Sequence, residues 1–254
     1  MNRLQLITAA LGLLLLAPTG CRKTDGDPPT TPTPAQWDFE NTTGQSAGYS
    51  ECAGTATSPI NIDTTRTVKA TLPTLTVNYQ PLPLQVLDNG HTIQVQGNGR
   101  SSVTYDGVTY LLRQFHLHRT SEHTINGQAA PMEVHLVHED EQTGNRLVLG
   151  VFLTNGPQNP ALQQVLANLP ATQNQPNVVS GVSISLIDLL PPQRAYYTYA
   201  ASLSTPACPP ELTWIVFKNP VPLSAGQEAA FARKYPKNNR PVQPLNNRPV
   251  REQG

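Results

Sequence analysis

The chain has 254 residues, 17 of them basic and 17 acidic, so it carries no formal net charge and only 13% of its residues are charged. That balance argues against a nucleic-acid surface or a polyanionic substrate and suits a small neutral or singly charged one. The length fits a single β-rich domain, and 25 prolines with few helix-favouring stretches point to strands, turns and ordered loops.

At the amino terminus, Arg3 precedes a mainly apolar run from Leu4 to Ala17 and then small residues leading to Cys21, which reads as an export signal over residues 1–20. The run falls short of the about 20 residues a membrane-crossing helix needs. Ala17-Pro18-Thr19-Gly20-Cys21 resembles a bacterial lipobox, with Pro18 where leucine is usual. Two outcomes are expected: acylation of Cys21, giving a periplasmic or cell-surface lipoprotein attached to a bacterial membrane, or ordinary cleavage nearby. Acylation would leave Cys52 and Cys208 as an even pair in an oxidising compartment and so predicts a disulfide, the alternative being two unrelated buried thiols. Residues 21–36 hold no large apolar side chain and read as a tether, and one domain follows over 37–254.

Within the domain, residues 92–96 alternate with period two, and residues 103–112 do so after a turn at 97–99. Residues 114–118 and 133–137 keep the alternation, and 147–153 and 212–217 are apolar runs short enough to be core strands. Helical periodicity is confined to 160–169 and 224–234. The expected class is mixed and β-dominated, a sheet with short helices at its edges.

All six histidines lie between His91 and His138, a clustering that suggests a metal. His116 and His118 are two apart on a predicted strand and leave it on one face, and His135 is far enough along to return on a neighbouring strand. Three imidazoles and an open fourth position describe a catalytic zinc site, whereas structural zinc is usually closed by four protein ligands. Gln114 shares a face with His116, and Glu133 with His135, so each can hold a ligand ring by its second nitrogen.

Residues 114–138 resemble the signature of alpha-class carbonic anhydrases, and the likeness runs on. Ser58-Pro59-Ile60-Asn61-Ile62 is similar to an amino-terminal element of that family, Asn89-Gly90-His91 to its proton-shuttle turn, and Ser121-Glu122-His123 to its buried glutamate segment. Ser202-Leu203-Ser204-Thr205-Pro206 resembles its substrate loop, with Trp214 at the family's spacing, and residues 238–247 resemble its carboxy-terminal motif.

The resemblance implies a large, mostly antiparallel central sheet and reversible, zinc-dependent hydration of carbon dioxide to bicarbonate and a proton, with activated water as nucleophile. His116, His118 and His135 would hold Zn2+, with Gln114, Glu133 and Asn238 behind them. Glu122 and Ser204 would orient the nucleophile, serine standing where threonine is usual. Val137, Val148, Leu203 and Trp214 would form the apolar substrate wall, Thr205 would contact bicarbonate, and His91 would shuttle protons. The resemblance also implies the Cys52–Cys208 bond and assigns His123 and His138 to structure. The competing reading is a catalytically silent relative acting as a surface binding protein; such relatives generally lack a ligand histidine, and all three are present here. Oligomeric state is not legible.

Overall fold

The structure, a computed structural model, describes residues 50–206, 208–209 and 212–253. The expected signal segment, Cys21 and the tether lie outside the described residues.

The strands that matter here are β1 (Leu82–Asp88), β2 (Ile93–Gln96), β3 (Val108–His118), β4 (Met132–Glu139), β5 (Arg146–Asn155), β6 (Asn177–Ile184), β7 (Tyr196–Ala201) and β8 (Leu212–Phe217). Among the described residues they belong to one 13-stranded sheet, ordered β6, β1, β2, β3, β4, β5, β8, β7 and then Arg251–Gln253 and Val68–Ala70. The β3–β4 and β4–β5 pairs are antiparallel, while β5 runs parallel to β8. The expected β-dominated single domain with a large central sheet is what is observed.

Alternation assigns each face of the sheet its own core. Phe115, Leu117, Val134, Leu136, Leu149, Val151, Ile215 and Phe217 bury one face against α1 (Pro160–Ala167) and α2 (Ala225–Ala232) residues such as Leu162 and Phe231. The residues between them point the other way, where Val137, Val148, Phe152, Tyr199, Trp214 and Val216 form a second cluster with Ile60 and Ile62. Because β4 and β5 are buried on both faces, they read as largely apolar runs, broken inside β4 by Glu133, His135 and His138.

Both helices lie within the stretches read as helical. Their starts are clamped to each other: Asn159 caps α1, and the Gln227 amide of the α2 capping box donates to the Asn159 carbonyl at 2.7 Å and accepts from the Asn159 N–H at 2.9 Å. Residues 103–112 differ from expectation. They are two strands, Ser102–Tyr105 and the start of β3, joined through Asp106 and Gly107, whose φ angles are 50° and 77°. An Asp-Gly pair at positive φ is a tight hairpin turn, and the unbroken alternation across it concealed the reversal.

Candidate metal centre

The centre is built by the register of β3 on β4. His116 lies directly opposite His135, and His118 opposite Glu133, so the rings meet on one face of two adjacent strands. One nitrogen from each of His116, His118 and His135 lies within 4.8 Å of the other two. All three rings are buried, with centroids 4.6 to 5.3 Å apart.

Each ring is fixed by its other nitrogen. His116 Nδ1–H donates to Gln114 Oε1 at 2.9 Å, His118 Nδ1–H to the Asn238 carbonyl at 2.9 Å, and His135 Nε2–H to Glu133 Oε1 at 2.9 Å. These partners set the tautomers and turn Nε2 of His116 and His118, and Nδ1 of His135, toward the shared point. The facing atoms His116 Nε2 and His135 Nδ1 are buried with no hydrogen-bond partner. Buried nitrogens without a donor are costly, and a zinc ion with about 2.0 Å bonds to neutral imidazoles would satisfy them. The donor set fits that ion: three imidazoles and no thiolate.

Electrostatics support the same assignment. Burial, reinforced by the neighbouring His118 and His135, pushes His116 well below the usual histidine range, and burial also lowers His118. Rings neutral at working pH are what a metal requires. Burial likewise pulls His135 down, but Glu133 by charge and hydrogen bond, with Glu122, outweighs it and leaves the ring raised. Those carboxylates favour positive charge at this point.

Glu133 anchors a wider network. Its Oε2 accepts from the backbone N–H groups of Glu122 and His123, both at 2.8 Å, and its Oε1 accepts from His135 and from His123 Nδ1 at 2.7 Å. Burial alone would raise its pKa, but His123, His135 and these hydrogen bonds hold it well below the usual carboxylate range. The tautomer thus fixed leaves His123 Nε2 to accept from the Tyr199 hydroxyl at 2.8 Å. His123, read from sequence as structural, is therefore joined to a ligand ring through one carboxylate. Tyr199 was not singled out at all.

Gly150 was also missed. It pairs with His135 from β5, and a Cβ there would lie 2.9 Å from Glu133 Oε1. Only a hydrogen leaves room for the carboxylate. Gly150→Ala should therefore shift Glu133, loosen its bond to His135 and weaken zinc affinity about 10-fold. Competition with a chelator measures this, and an unchanged affinity would mean that the carboxylate has slack.

Of the other expected site residues, Val137, Val148 and Trp214 share the sheet face of the ligand rings. Val137 pairs with Val148, and Val148 with Trp214, giving a continuous row across β4, β5 and β8. Trp214 lies 4.8 Å from the rings of both His123 and His135 and donates its indole N–H to the Ser202 carbonyl at 3.0 Å. Glu122 is buried; its Oε1 accepts from the Arg240 backbone N–H at 2.7 Å, and its Oε2 has no hydrogen-bond partner. That oxygen is 3.8 Å from His135 Nδ1.

Ser204 is buried, while Leu203 and Thr205 are half-buried. Their loop is closed by Cys208 N–H donating to the Thr205 carbonyl at 2.8 Å, and Cys208 is bonded to Cys52. Ser58 Oγ donates to the Ser202 carbonyl at 2.8 Å, and the buried Arg240 guanidinium reaches the carbonyls of Ser58 and Cys52 at 2.6 and 2.7 Å. His91 is half-buried on the turn between β1 and β2, and burial lowers its pKa below the usual histidine value.

Comparison with known proteins gives concordant likenesses. The family described as eukaryotic-type carbonic anhydrase matches residues 33–254. A carbonic anhydrase of Neisseria gonorrhoeae is 42% identical over 197 residues, 77% of this chain and 76% of that protein. One from a Nostoc species is 39% identical over 178 residues, 70% of this chain and 67% of that protein. Among solved structures, the alpha-carbonic anhydrase of Thermovibrio ammonificans in complex with the inhibitor sulfanilamide aligns with a TM-score of 0.80 at 42% identity, covering 85% of this chain and 99% of that one. The alpha-carbonic anhydrase of Photobacterium profundum aligns at 0.79 and 33% identity, covering 85% of this chain and 100% of that one.

Proposed function

Because the chain belongs to the eukaryotic-type, alpha-class carbonic anhydrase family, we propose that it hydrates carbon dioxide reversibly to bicarbonate and a proton at a zinc ion held by His116, His118 and His135. The observation that carries this reading is the meeting of three buried imidazoles whose outer nitrogens are each engaged and whose inner nitrogens converge. Zinc in such a set lowers the pKa of bound water to roughly 7, a property established for carbonic anhydrases rather than measured on this chain.

The protein's own part is orientation, exclusion and proton movement. Gln114, the Asn238 carbonyl and Glu133 keep the ligand rings from rotating. In this reading the Oε2 of Glu122, buried and without a hydrogen-bond partner, is the acceptor for the Ser204 hydroxyl, which leaves the serine oxygen to accept a hydrogen from the reacting water and fix its direction. Serine lacks the methyl that restricts a threonine rotamer, so some orientation is lost and the function kept. Val137, Val148, Leu203 and Trp214 offer an apolar wall to an apolar substrate, and Thr205 offers a hydroxyl to bicarbonate.

The proton left after bicarbonate departs must reach buffer, and His91 carries it. His91→Ala should lower kcat on the order of 10-fold in weak buffer, leave kcat/KM unchanged, and be rescued by added imidazole. An unaltered kcat in weak buffer would remove His91 from the mechanism.

The same reading makes the enzyme exported and anchored through acylated Cys21, which the leader pattern and the Cys52–Cys208 disulfide support. Mass analysis of the mature amino terminus should find a lipid-modified Cys21; an unmodified terminus elsewhere would leave export and rule out the anchor.

A further inference from the structure

The turn carrying His91 is held by a buried carboxylate that the catalytic chemistry does not use. Asp88, the last residue of β1, is 1% exposed, and its side chain folds back under the turn. Its Oδ1 accepts from the Gly90 N–H at 3.0 Å and from the Tyr235 hydroxyl, while its Oδ2 lies 2.7 Å from Lys234 Nζ. Lys234 and Tyr235 follow Arg233, the C-cap of α2, and their N–H groups both donate to the Phe231 carbonyl at 2.9 Å, so the helix end dictates where they stand. A buried ionised group persists only when paired and hydrogen-bonded, and here both partners come from a segment remote in sequence.

The rest of the turn is equally constrained. Asn89 Oδ1 accepts from the N–H groups of His91 and Thr92 at 3.0 and 2.9 Å, and Asn238 Nδ2 donates to the His91 carbonyl at 3.0 Å. Gly90 has φ of 86°, and a Cβ there would stand 2.1 Å from the Gln173 amide nitrogen. A neutral side chain at position 88 could cap Gly90 as well. The charge is accounted for by Lys234, and the second acceptor role of Oδ1 by Tyr235.

We propose that Asp88, clamped by Lys234 and Tyr235, is a positioning residue for proton transfer: it locks the His91 turn to the end of α2 and so fixes the Cα from which the imidazole reaches the centre. The proposal rests on the reading of His91 as the proton shuttle. Loosening the clamp frees the turn at Gly90 while the Asn238 bonds to His91 and His118 remain, and it reduces the fraction of time the ring stands where a proton can pass.

Tyr235→Phe and Lys234→Met test it, alone and combined, in the zinc-loaded enzyme. Expected is a fall in weak-buffer kcat on the order of 10-fold for the pair, an unchanged kcat/KM, restoration by added imidazole, and no further loss in a His91→Ala background. In the metal-free protein, amide exchange at Gly90 and His91 should quicken while β4 amides hold. A matched fall in kcat/KM, a loss that persists without His91, or unchanged exchange would each overturn the proposal. If His91→Ala itself leaves weak-buffer turnover intact, the shuttle reading has failed instead, and amide exchange alone then judges whether the clamp holds the turn.

Discussion

His118→Ala should remove bound zinc and carbon dioxide hydration together, leaving a folded protein that works no faster than buffer. The ring is fully buried and held by the Asn238 carbonyl, so alanine removes one of three ligands and leaves a hole that water can enter but not replace with a fixed donor. Enzymes commonly accelerate their reactions by about 10⁶-fold or more, and a nucleophile that depends on the ion is lost with it, so the expected fall is of that order. Metal content after gel filtration and stopped-flow hydration measure the two effects side by side. Replacing Gln114 or Glu133 instead should cost about 10- to 100-fold in zinc affinity, because the ligands remain and only their aim is lost. Full zinc content with normal hydration in His118→Ala would place the ion elsewhere.

Breaking the Cys52–Cys208 bond should produce the largest loss of stability open to a conservative change. The two residues are 156 apart in sequence, and closing so long a loop restricts the unfolded chain by about 5 kcal/mol in the chain-entropy account, with about 3 kcal/mol a common yield in practice. For a domain of this size, that corresponds to a fall in Tm of roughly 10 °C. The bond also pins the loop of residues 202–206 to residues 52–58 beside two carbonyls gripped by Arg240, so, on the proposed roles of Ser204 and Thr205, Cys208→Ser should lower kcat/KM as both gain freedom. Urea unfolding of Cys52→Ser, Cys208→Ser and the double variant provides the check: all three should coincide if the bond itself is responsible. Stability equal to that of the unaltered protein would show that the loop is held by its hydrogen bonds alone.

How much of this was legible in the sequence follows from what each feature depends on. Period two is local, so the shared face of Gln114, His116 and His118, and that of Glu133 and His135, could be read directly. Which residues face each other across strands is decided by register, and register depends on tertiary packing. The pairing of His116 with His135, and the Gly150 gap that admits Glu133, therefore had no local signal. Asn238 was reached only through a resemblance, since it comes to His118 from 120 residues away. The hairpin at Asp106-Gly107 was missed for the opposite reason: its turn signal was present, but alternation on both sides masked it. The clamp on Asp88 joins residues 147 apart, beyond any pattern a single segment can show.

The most direct test of the central claim is the coordination of zinc in the purified domain, by anomalous diffraction at the zinc edge. One ion per chain should bond Nε2 of His116, Nε2 of His118 and Nδ1 of His135 at about 2.0 to 2.1 Å, with a solvent oxygen as the fourth ligand. Zinc bonded to His135 through Nε2, closed by a fourth protein side chain, or absent from these three rings would contradict it.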